Sequence, residues 1–320
     1  MARWRRALGA VRRGTEPVHH RDIRSAAGGW RLAALVGAVL LVLAVTVVSM
    51  EWSDTDPRAD VSSPASDVAP RRDTPSGAPS DFPGPSDTGV PPGTRLTPSG
   101  SLVVTTDGTT IDGLDVEGQI RVEAEHVTIR RSRITTESNL GIQVDEGSVV
   151  VEDTEVVGVG DRCQAGIGWA NYTARRVDVH GCRDGLKVGD DTVVVDSYIH
   201  DQARGSGFHN DAIQASGAAR GIRIEGNTIL GPLRASVSAI KISTQQGPIA
   251  DVSIRGNYLS GGGMLVYVTD KDQGFGPPRD VEIVGNVMER GSFRNQWLSS
   301  DGDDLRIDGN VWHDDRSPVA

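Results

Sequence analysis

The sequence contains few aromatic residues, few lysines and few cysteines. The shortage of aromatic residues bears on the fold class. Aromatic residues make up 4% of the 320 residues, which argues against a large helical core or a β-propeller, since both normally carry more aromatic bulk. Glycine is abundant, with 39 residues, and favours a chain with many tight turns. The apolar residues after Ser99 recur with a period of two, which predicts short strands and argues against helices.

Acidic residues outnumber basic ones outside the N-terminal segment. Eight arginines, but only the acids Glu16 and Asp22, occur up to Arg31. Of the 33 basic and 43 acidic residues in the whole chain, 25 and 41 therefore remain beyond that point, a net charge of about −16. Binding to a phosphate backbone requires a cationic face, so we expect no nucleic-acid partner.

An uncharged apolar run follows the basic segment. It covers the 19 residues 32–50, the length that crosses the hydrocarbon core of a membrane as a helix. We predict a basic cytoplasmic segment over 1–31, a transmembrane helix over 32–50 and an extracellular remainder, so that the protein is a single-pass protein of the cell membrane. A cleaved signal peptide is the alternative, but the leader is long and no clear Ala-x-Ala site follows the apolar run.

Residues 51–98 are rich in proline, serine, aspartate, glycine and threonine. Ten of the 16 prolines lie here, and a stretch with so little apolar content cannot bury a core. We predict a disordered, extended linker that holds residues 99–320 away from the membrane.

An internal repeat begins after Ser99. Its template is an apolar residue, any residue, an apolar residue, four residues of any kind and a further apolar residue, as in Val127, Ile129 and Ile134. Nine copies align on their central positions, which are Ile111, Ile129, Val151, Ala174, Val194, Ile224, Ile254, Ile283 and Ile307. Strands that recur every ~20–30 residues are typical of stacked coils in a parallel β-helix, with coils about 4.8 Å apart.

Three further features fit such coils. A second strand falls between successive copies, for example over residues 185–188 and 239–242, so each coil contributes to at least two sheets. Asparagines 227, 257, 286 and 310 each follow a central position by three residues, which predicts a structural ladder of side-chain amides. Cys163 and Cys182 occupy equivalent points on adjacent coils, within disulfide reach, and an extracellular location permits that bond.

With these repeats, residues from about Ser99 to His313 resemble the right-handed parallel β-helix, or pectin-lyase-like, superfamily. The resemblance covers about two thirds of the chain and implies an all-β, right-handed parallel β-helix of about nine coils. Proteins with this fold include lyases, hydrolases, epimerases, esterases and non-catalytic adhesins. Function therefore has to be argued from the site.

The outward-facing residues of the second strands form a polar column. Its members are Gln143, Gly168, Lys187, Gln214, Lys241 and Tyr267. The chain has only three lysines, at 187, 241 and 271, and arginine would serve solubility equally well. Two of the three lysines in one column therefore indicate a binding site, and we expect an acidic polysaccharide as its partner.

Acidic residues accompany this column. Asp184 and Asp211 lie at equivalent positions before two of the strands, and Asp190 follows the strand of Lys187. Because Ca²⁺ prefers carboxylate ligands, we predict that these three hold calcium, the alternative being that Asp184 and Asp211 only close turns. Inserts near residues 201–208, 231–238 and 271–279 could wall a groove beside the column. The predicted substrate-binding residues are Gln143, Gln214, His209, Asn210, Arg204 and Arg234, the two arginines as clamps for a carboxylate.

A column of this kind suits β-elimination of a uronate polymer. The reaction needs a base for the C5 proton, an acid for the leaving oxygen and a cation for the carboxylate. We predict Lys241 as the base, Tyr267 as the proton donor and Lys187 as a neighbouring cation. The resemblance supports this chemistry, because lyases of the superfamily commonly use lysine or arginine bases together with calcium or arginine.

Three other functions stay open. A non-catalytic β-helix would bind glycans or partners at the cell surface, and a C5-epimerase would share the proton abstraction. A glycoside hydrolase is less favoured, because the chain has Asn210-Asp211 but lacks the Gly-His-Gly pattern of the superfamily's glycosidases. His180 and His200 follow equivalent strand ends and are interpreted as a stacked turn feature. We expect the protein to be a monomer.

Overall fold

The structure is a computed structural model that describes residues 79–203, 209–232, 237–290, 296–302 and 304–319. Within these ranges the chain is all-β and contains no helix. The strands in chain order are β1 (Thr97–Val104), β2 (Thr110–Asp112), β3 (Leu114–Arg130), β4 (Arg133–Thr136), β5 (Leu140–Glu152), β6 (Glu155–Gly158), β7 (Ala165–Trp169), β8 (Tyr172–Arg175), β9 (Asp178–His180), β10 (Asp184–Lys187), β11 (Val193–Val195), β12 (Tyr198–Ile199), β13 (Ile213–Ala215), β14 (Ala219–Glu225), β15 (Thr228–Leu230), β16 (Ser238–Ser243), β17 (Ile249–Arg255), β18 (Tyr258–Ser260), β19 (Met264–Thr269), β20 (Arg279–Val284), β21 (Val287–Met288), β22 (Gln296–Ser300), β23 (Leu305–Asp308) and β24 (Val311–Trp312).

From β6 onward, each strand up to β21 pairs in parallel with the strand three places later in the chain. The pairs β7–β10–β13–β16–β19–β22 form what we call the lysine sheet, and β8–β11–β14–β17–β20–β23 form the anchor sheet. The pairs β4–β6–β9–β12–β15–β18–β21–β24 form the histidine sheet. The long strands β3 and β5 run through more than one sheet and join the stack at its N-terminal end. This topology is consistent with a parallel β-helix, as the repeat predicts.

The predicted central positions stack in register through the anchor sheet. Ile111 pairs with Ile129, and the series continues coil by coil to Ile283 and Ile307. Nearly all are buried, because residues alternate between the two faces of a strand and the apolar ones face the interior. Ile307, on the last strand described in this sheet, is 41% exposed since no further coil among the described residues covers it.

A ladder of side-chain hydrogen bonds supports the turn after the anchor sheet. The backbone amide of Asn227 donates to Oδ1 of Asn257 at 2.9 Å, and the same bond links Asn257 to Asn286 and Asn286 to Asn310. The predicted asparagine ladder is thus confirmed. It continues toward the N-terminus through hydroxyl groups, since the amide of Val177 donates to Oγ of Ser197 and that of Ser197 to Asn227.

The predicted disulfide is also confirmed. Cys163 and Cys182 are bonded, and their Cα atoms lie 4.8 Å apart, which matches the distance between neighbouring parallel strands. Both residues are almost fully buried at 1% exposure. The bond therefore ties one coil to the next near the start of the lysine sheet.

We expect the double variant Cys163→Ala/Cys182→Ala to lower the free energy of unfolding by about 3 kcal/mol, because the bond closes a short loop in the unfolded chain. The bonded residues are 19 apart in sequence. Urea unfolding of the oxidised full-length chain and of the variant measures the effect. An unchanged midpoint at the same slope would contradict the prediction.

The predicted linker boundary needs a correction. Residues 79–98 were expected to be disordered, but they lie against the histidine sheet and lead into β1 at Thr97. The ring of Phe82 contacts the buried Tyr258, with centroids 5.6 Å apart, and the amide of Gly89 donates to the carbonyl of Arg176. Composition misled here because a single phenylalanine and backbone hydrogen bonds hold a proline-rich segment that has little apolar content of its own.

The predicted membrane span lies outside the described residues, as does the linker up to residue 78. Among the residues that the structure does describe, no helix has the length and apolar character needed to cross a membrane. The cytoplasmic segment, the transmembrane helix and the extracellular location therefore stay predictions.

Candidate functional site

The residues of the polar column predicted from the sequence lie at paired positions on neighbouring strands. Gln143 pairs with Gly168, and Lys187, Gln214, Lys241 and Tyr267 follow one another on four successive strands. All four are half-buried on the outer face of the lysine sheet. Strand pairing sets this row, because side chains at paired positions of parallel strands point the same way.

The third lysine of the chain joins the same row, which the sequence did not indicate. Lys271 follows β19 and turns back, so that its Nζ lies 3.4 Å from the hydroxyl of Tyr267 and 5.4 Å from the centre of its ring. We call Lys187, Gln214, Lys241, Tyr267 and Lys271 the lysine stripe. All three lysines of the chain therefore lie on one stripe.

Lys187 is held by neighbouring groups. Its ammonium group forms an ion pair with the carboxylate of Asp184 and donates to Oε1 of Gln214. The Lys187 side chain is 20% exposed and that of Asp184 is 6% exposed. Because a buried carboxylate needs a cation or hydrogen-bond donors, Lys187 has a structural task and is less available to a ligand than its position suggests.

Asp184 and Asp211 stack on neighbouring coils beneath the stripe. The amide of Asp211 donates to Oδ1 of Asp184 at 2.8 Å, and Asp211 accepts from both the amide and the hydroxyl of Ser238. Its other oxygen accepts from Nε2 of Gln214. Burial raises the pKa of Asp211 and the charge of Asp184 raises it further, although nearby Lys241 and the bonds from Ser238 oppose the shift.

The three residues predicted to hold calcium do not converge. Asp190 is exposed beyond the end of β10, where its carboxylate accepts from the amide of Arg220. The carboxylate oxygens of Asp184 and Asp211 already accept hydrogen bonds or form an ion pair within the protein. This arrangement fits the alternative reading, in which the two buried aspartates stabilise the starts of strands.

Lys241 differs from Lys187 in having no such partner. Within the described part of the chain, its ammonium group forms no hydrogen bond and no ion pair, and its electrostatic neighbour is the buried Asp211. Gln214 lies on one side of it and Tyr267 on the other, each one coil away. Among the described residues, Lys241 is thus the lysine of the stripe whose ammonium group has no bonded partner and can contact a ligand.

The remaining predicted binding residues are dispersed. Nε2 of Gln143 donates to Asp145, and the exposed His209 lies before β13. Asn210 is buried, and its Nδ2 donates to the carbonyl of Ala203. Arg204 and Arg234 lie outside the described residues.

A second cluster lies on the histidine sheet, where the sequence predicted only stacked histidines. The rings of His180 and His200 are stacked with centroids 5.0 Å apart, and Tyr198 stacks on His200 at 4.0 Å. Nε2 of His200 lies 2.9 Å from Oδ1 of Asp178. The missed signal was alternation: Asp178 stands two residues before His180, so both side chains point outward from β9.

Two more carboxylates complete this cluster. Nδ1 of His200 lies 2.9 Å from Asp201, and Nε2 of His180 lies 3.3 Å from Glu155. Burial alone would lower the pKa of His200, but its bonds to Asp178 and Asp201 raise it overall. The hydrogen bond from His180, followed by that from Arg133, lowers the pKa of Glu155 to about 2. We call Asp178, His180 and His200 the histidine cluster.

The lysine stripe and the histidine cluster each gather groups able to bind ligands or transfer protons. A fold of this kind does not determine which reaction it carries. Comparison of the chain with models of known protein families, with curated proteins and with solved structures found no match.

Proposed function

We propose that the chain binds an acidic, uronate-containing polysaccharide along the lysine stripe and cleaves it by β-elimination. The carrying observation is that Lys187, Lys241 and Lys271 lie on one stripe although 30 of the 33 basic residues are arginines. A row of cations on an otherwise acidic protein attracts a polyanion to that row. The proposal includes a right-handed, pectin-lyase-like β-helix held outside the cell by the predicted membrane span.

The spacing of the stripe suits a chain of sugars. Its four strand residues, Lys187, Gln214, Lys241 and Tyr267, each lie one coil apart, about 4.8 Å, so Lys187 and Lys241 are separated by ~9–10 Å. Gln214 between them and Tyr267 beyond them add groups that can donate hydrogen bonds to hydroxyl and carboxylate oxygens. The polysaccharide would therefore run along the stack of coils, so that successive sugar units contact successive coils.

The elimination step uses the two central residues. The amine of Lys241 accepts the proton at C5 of the uronate, and the electron pair of the C5–H bond forms a double bond between C4 and C5. The bond from C4 to the leaving oxygen breaks, and the hydroxyl of Tyr267 donates its proton to that oxygen. Lys271, which contacts Tyr267, pairs with the substrate carboxylate and stabilises the charge that develops on it.

The buried carboxylates argue against the hydrolase alternative. Paired-carboxylate hydrolysis requires two carboxyl groups that reach the glycosidic bond. Asp184 and Asp211 are 4% and 3% exposed, and their oxygens accept hydrogen bonds from Ser238, Gln214 and the backbone. They support the stripe from beneath and do not face a substrate.

An elimination assay tests the proposal. Purified full-length chain is incubated with pectate, alginate and glycosaminoglycans, each with calcium and with chelator, and the ultraviolet absorbance of the unsaturated uronate is followed. We expect absorbance to rise with at least one polymer. Binding without any rise, measured by co-sedimentation with the polymer, would support a non-catalytic binder, and solvent-deuterium exchange at C5 without cleavage would support an epimerase. Neither binding nor cleavage of any acidic polymer would overturn the proposal.

A further inference from the structure

The histidine cluster has no task in the proposed elimination, and its composition points to a different ligand. Asp178 and His180 project from β9, and His200 follows β12 on the next coil. Strand pairing places Tyr198 opposite Asp178, which puts His200 opposite His180. Two imidazoles and a carboxylate therefore meet on one face because of the register, and not through a flexible loop.

We propose that the histidine cluster binds one divalent transition-metal ion, Zn²⁺ by preference, through His180, His200 and Asp178. One ligand atom from each residue lies within 4.8 Å of the other two. Zn–N and Zn–O bonds of about 2.0–2.2 Å place the ligand atoms of a tetrahedral ion roughly 3.3–3.6 Å apart, so a pair at the 4.8 Å limit has to approach by about 1.2–1.5 Å. Asp178 and His200 are already in contact at 2.9 Å and separate by a few tenths of an ångström to admit the ion.

The surroundings of His200 support a metal site. Its second ring nitrogen, Nδ1, lies 2.9 Å from the carboxylate of Asp201. A histidine that binds a metal through one nitrogen usually donates the other N–H to a carboxylate or carbonyl, which fixes the orientation of the ring. Asp201 is 66% exposed, so it holds the ring in place without belonging to the core.

The choice of ion follows from the ligands. Imidazole nitrogens favour Zn²⁺ and its transition-metal neighbours, whereas Ca²⁺ and Mg²⁺ prefer oxygen ligands. Glu155, 3.3 Å from Nε2 of His180, is positioned as a fourth group, and Arg133 holds its other oxygen. A metal ion also keeps both imidazoles neutral, which suits rings stacked 5.0 Å apart better than two positive charges would.

The cluster is enclosed yet open enough for an ion to enter. The side chains of His200 and Asp178 are each 14% exposed, and that of His180 is 27% exposed. Gly89 lies over Asp178, where an added Cβ would stand 3.1 Å from the Cβ of the aspartate. The ordered segment before β1 therefore covers one side of the site.

Titration of the untagged full-length chain with Co²⁺ is the direct test. We expect one Co²⁺ per chain, with the visible absorption of a four- or five-coordinate ion, and displacement of that signal by Zn²⁺. His180→Asn and His200→Asn should each raise the Kd for Co²⁺ at least about 100-fold. His126→Asn, which changes an exposed histidine outside the cluster, should leave it unchanged.

A second pair of variants keeps the test decisive if a histidine variant fails to fold. Asp201→Asn should weaken Co²⁺ binding about 10–100-fold, the usual effect of removing a carboxylate that orients a ligand. Asp201 has a φ of 43°, and asparagine tolerates a positive φ well. Asp280→Asn, at an exposed position with φ of 53°, is the matched control. Absence of stoichiometric binding, or binding equal in all these variants, would overturn the proposal.

Discussion

Lys241→Ala is expected to reduce the rate of uronate elimination by about 10²–10⁴-fold, the usual contribution of a positioned general base. The folded state should hardly change. Lys241 is half-buried, and its ammonium group has no hydrogen-bond or ion-pair partner in the described part of the chain. Its electrostatic neighbour, the buried Asp211, keeps its hydrogen bonds from Ser238 and Gln214 when Lys241 is removed. The rate is read from the ultraviolet absorbance of the product, and stability from urea unfolding of the same preparations.

Two further variants separate the base from a mere cation. Lys241→Arg keeps the positive charge, but a guanidinium gives up its proton far less readily than an ammonium group, so binding should survive while the rate of elimination falls at least about 10²-fold. Lys187→Ala should instead affect the folded state. It should lower the free energy of unfolding by more than about 2 kcal/mol, because Asp184 would lose its ion-pair partner. If Lys241→Arg retained full elimination activity, Lys241 would not be the base.

More of the fold than of the site could be predicted from the sequence, because the fold follows from one repeated pattern of apolar residues. Apolar residues at alternate positions, repeated at coil spacing, fix which residues face the interior, and this defined the anchor sheet from Ile111 to Ile307. The same alternation placed Lys187, Gln214, Lys241 and Tyr267 on one outer row. The side of the sheet that a residue faces can be predicted from the sequence, because successive residues of a strand face opposite sides.

What could not be predicted depends on contacts between side chains of different length. The pairing of Lys187 with Asp184, which distinguishes it from Lys241, requires the side-chain geometry of two strand positions three residues apart. The return of Lys271 to Tyr267 depends on the path of a turn. The histidine cluster combines β9 with a residue beyond β12, and strands of three and two residues are too short for their alternation to stand out in the sequence.

Asn257→Ala is expected to lower the free energy of unfolding by about 3–5 kcal/mol, since it leaves buried polar groups without partners. Oδ1 of Asn257 accepts from both the amide and Nδ2 of Asn227, while its Nδ2 donates to the carbonyl of Ile224 and to Asn286. Asn257 is fully buried, so water cannot replace these bonds. Urea unfolding gives the change, and Asn139→Ala, at an exposed position, should stay within about 0.5 kcal/mol of the parent.

A serine at position 257 tests whether the ladder itself carries the energy. Ser197 already occupies an equivalent position, where its Oγ accepts from the amide of Val177 at 3.1 Å and donates to the carbonyl of Val195. Asn257→Ser should therefore restore an acceptor for the amide of Asn227 and recover roughly half of the loss seen with alanine, because one orphaned amide costs about 1–3 kcal/mol. If serine and alanine were equally destabilising, the loss would come from the cavity that both leave, and the hydrogen-bonded ladder would contribute little to holding the coils together.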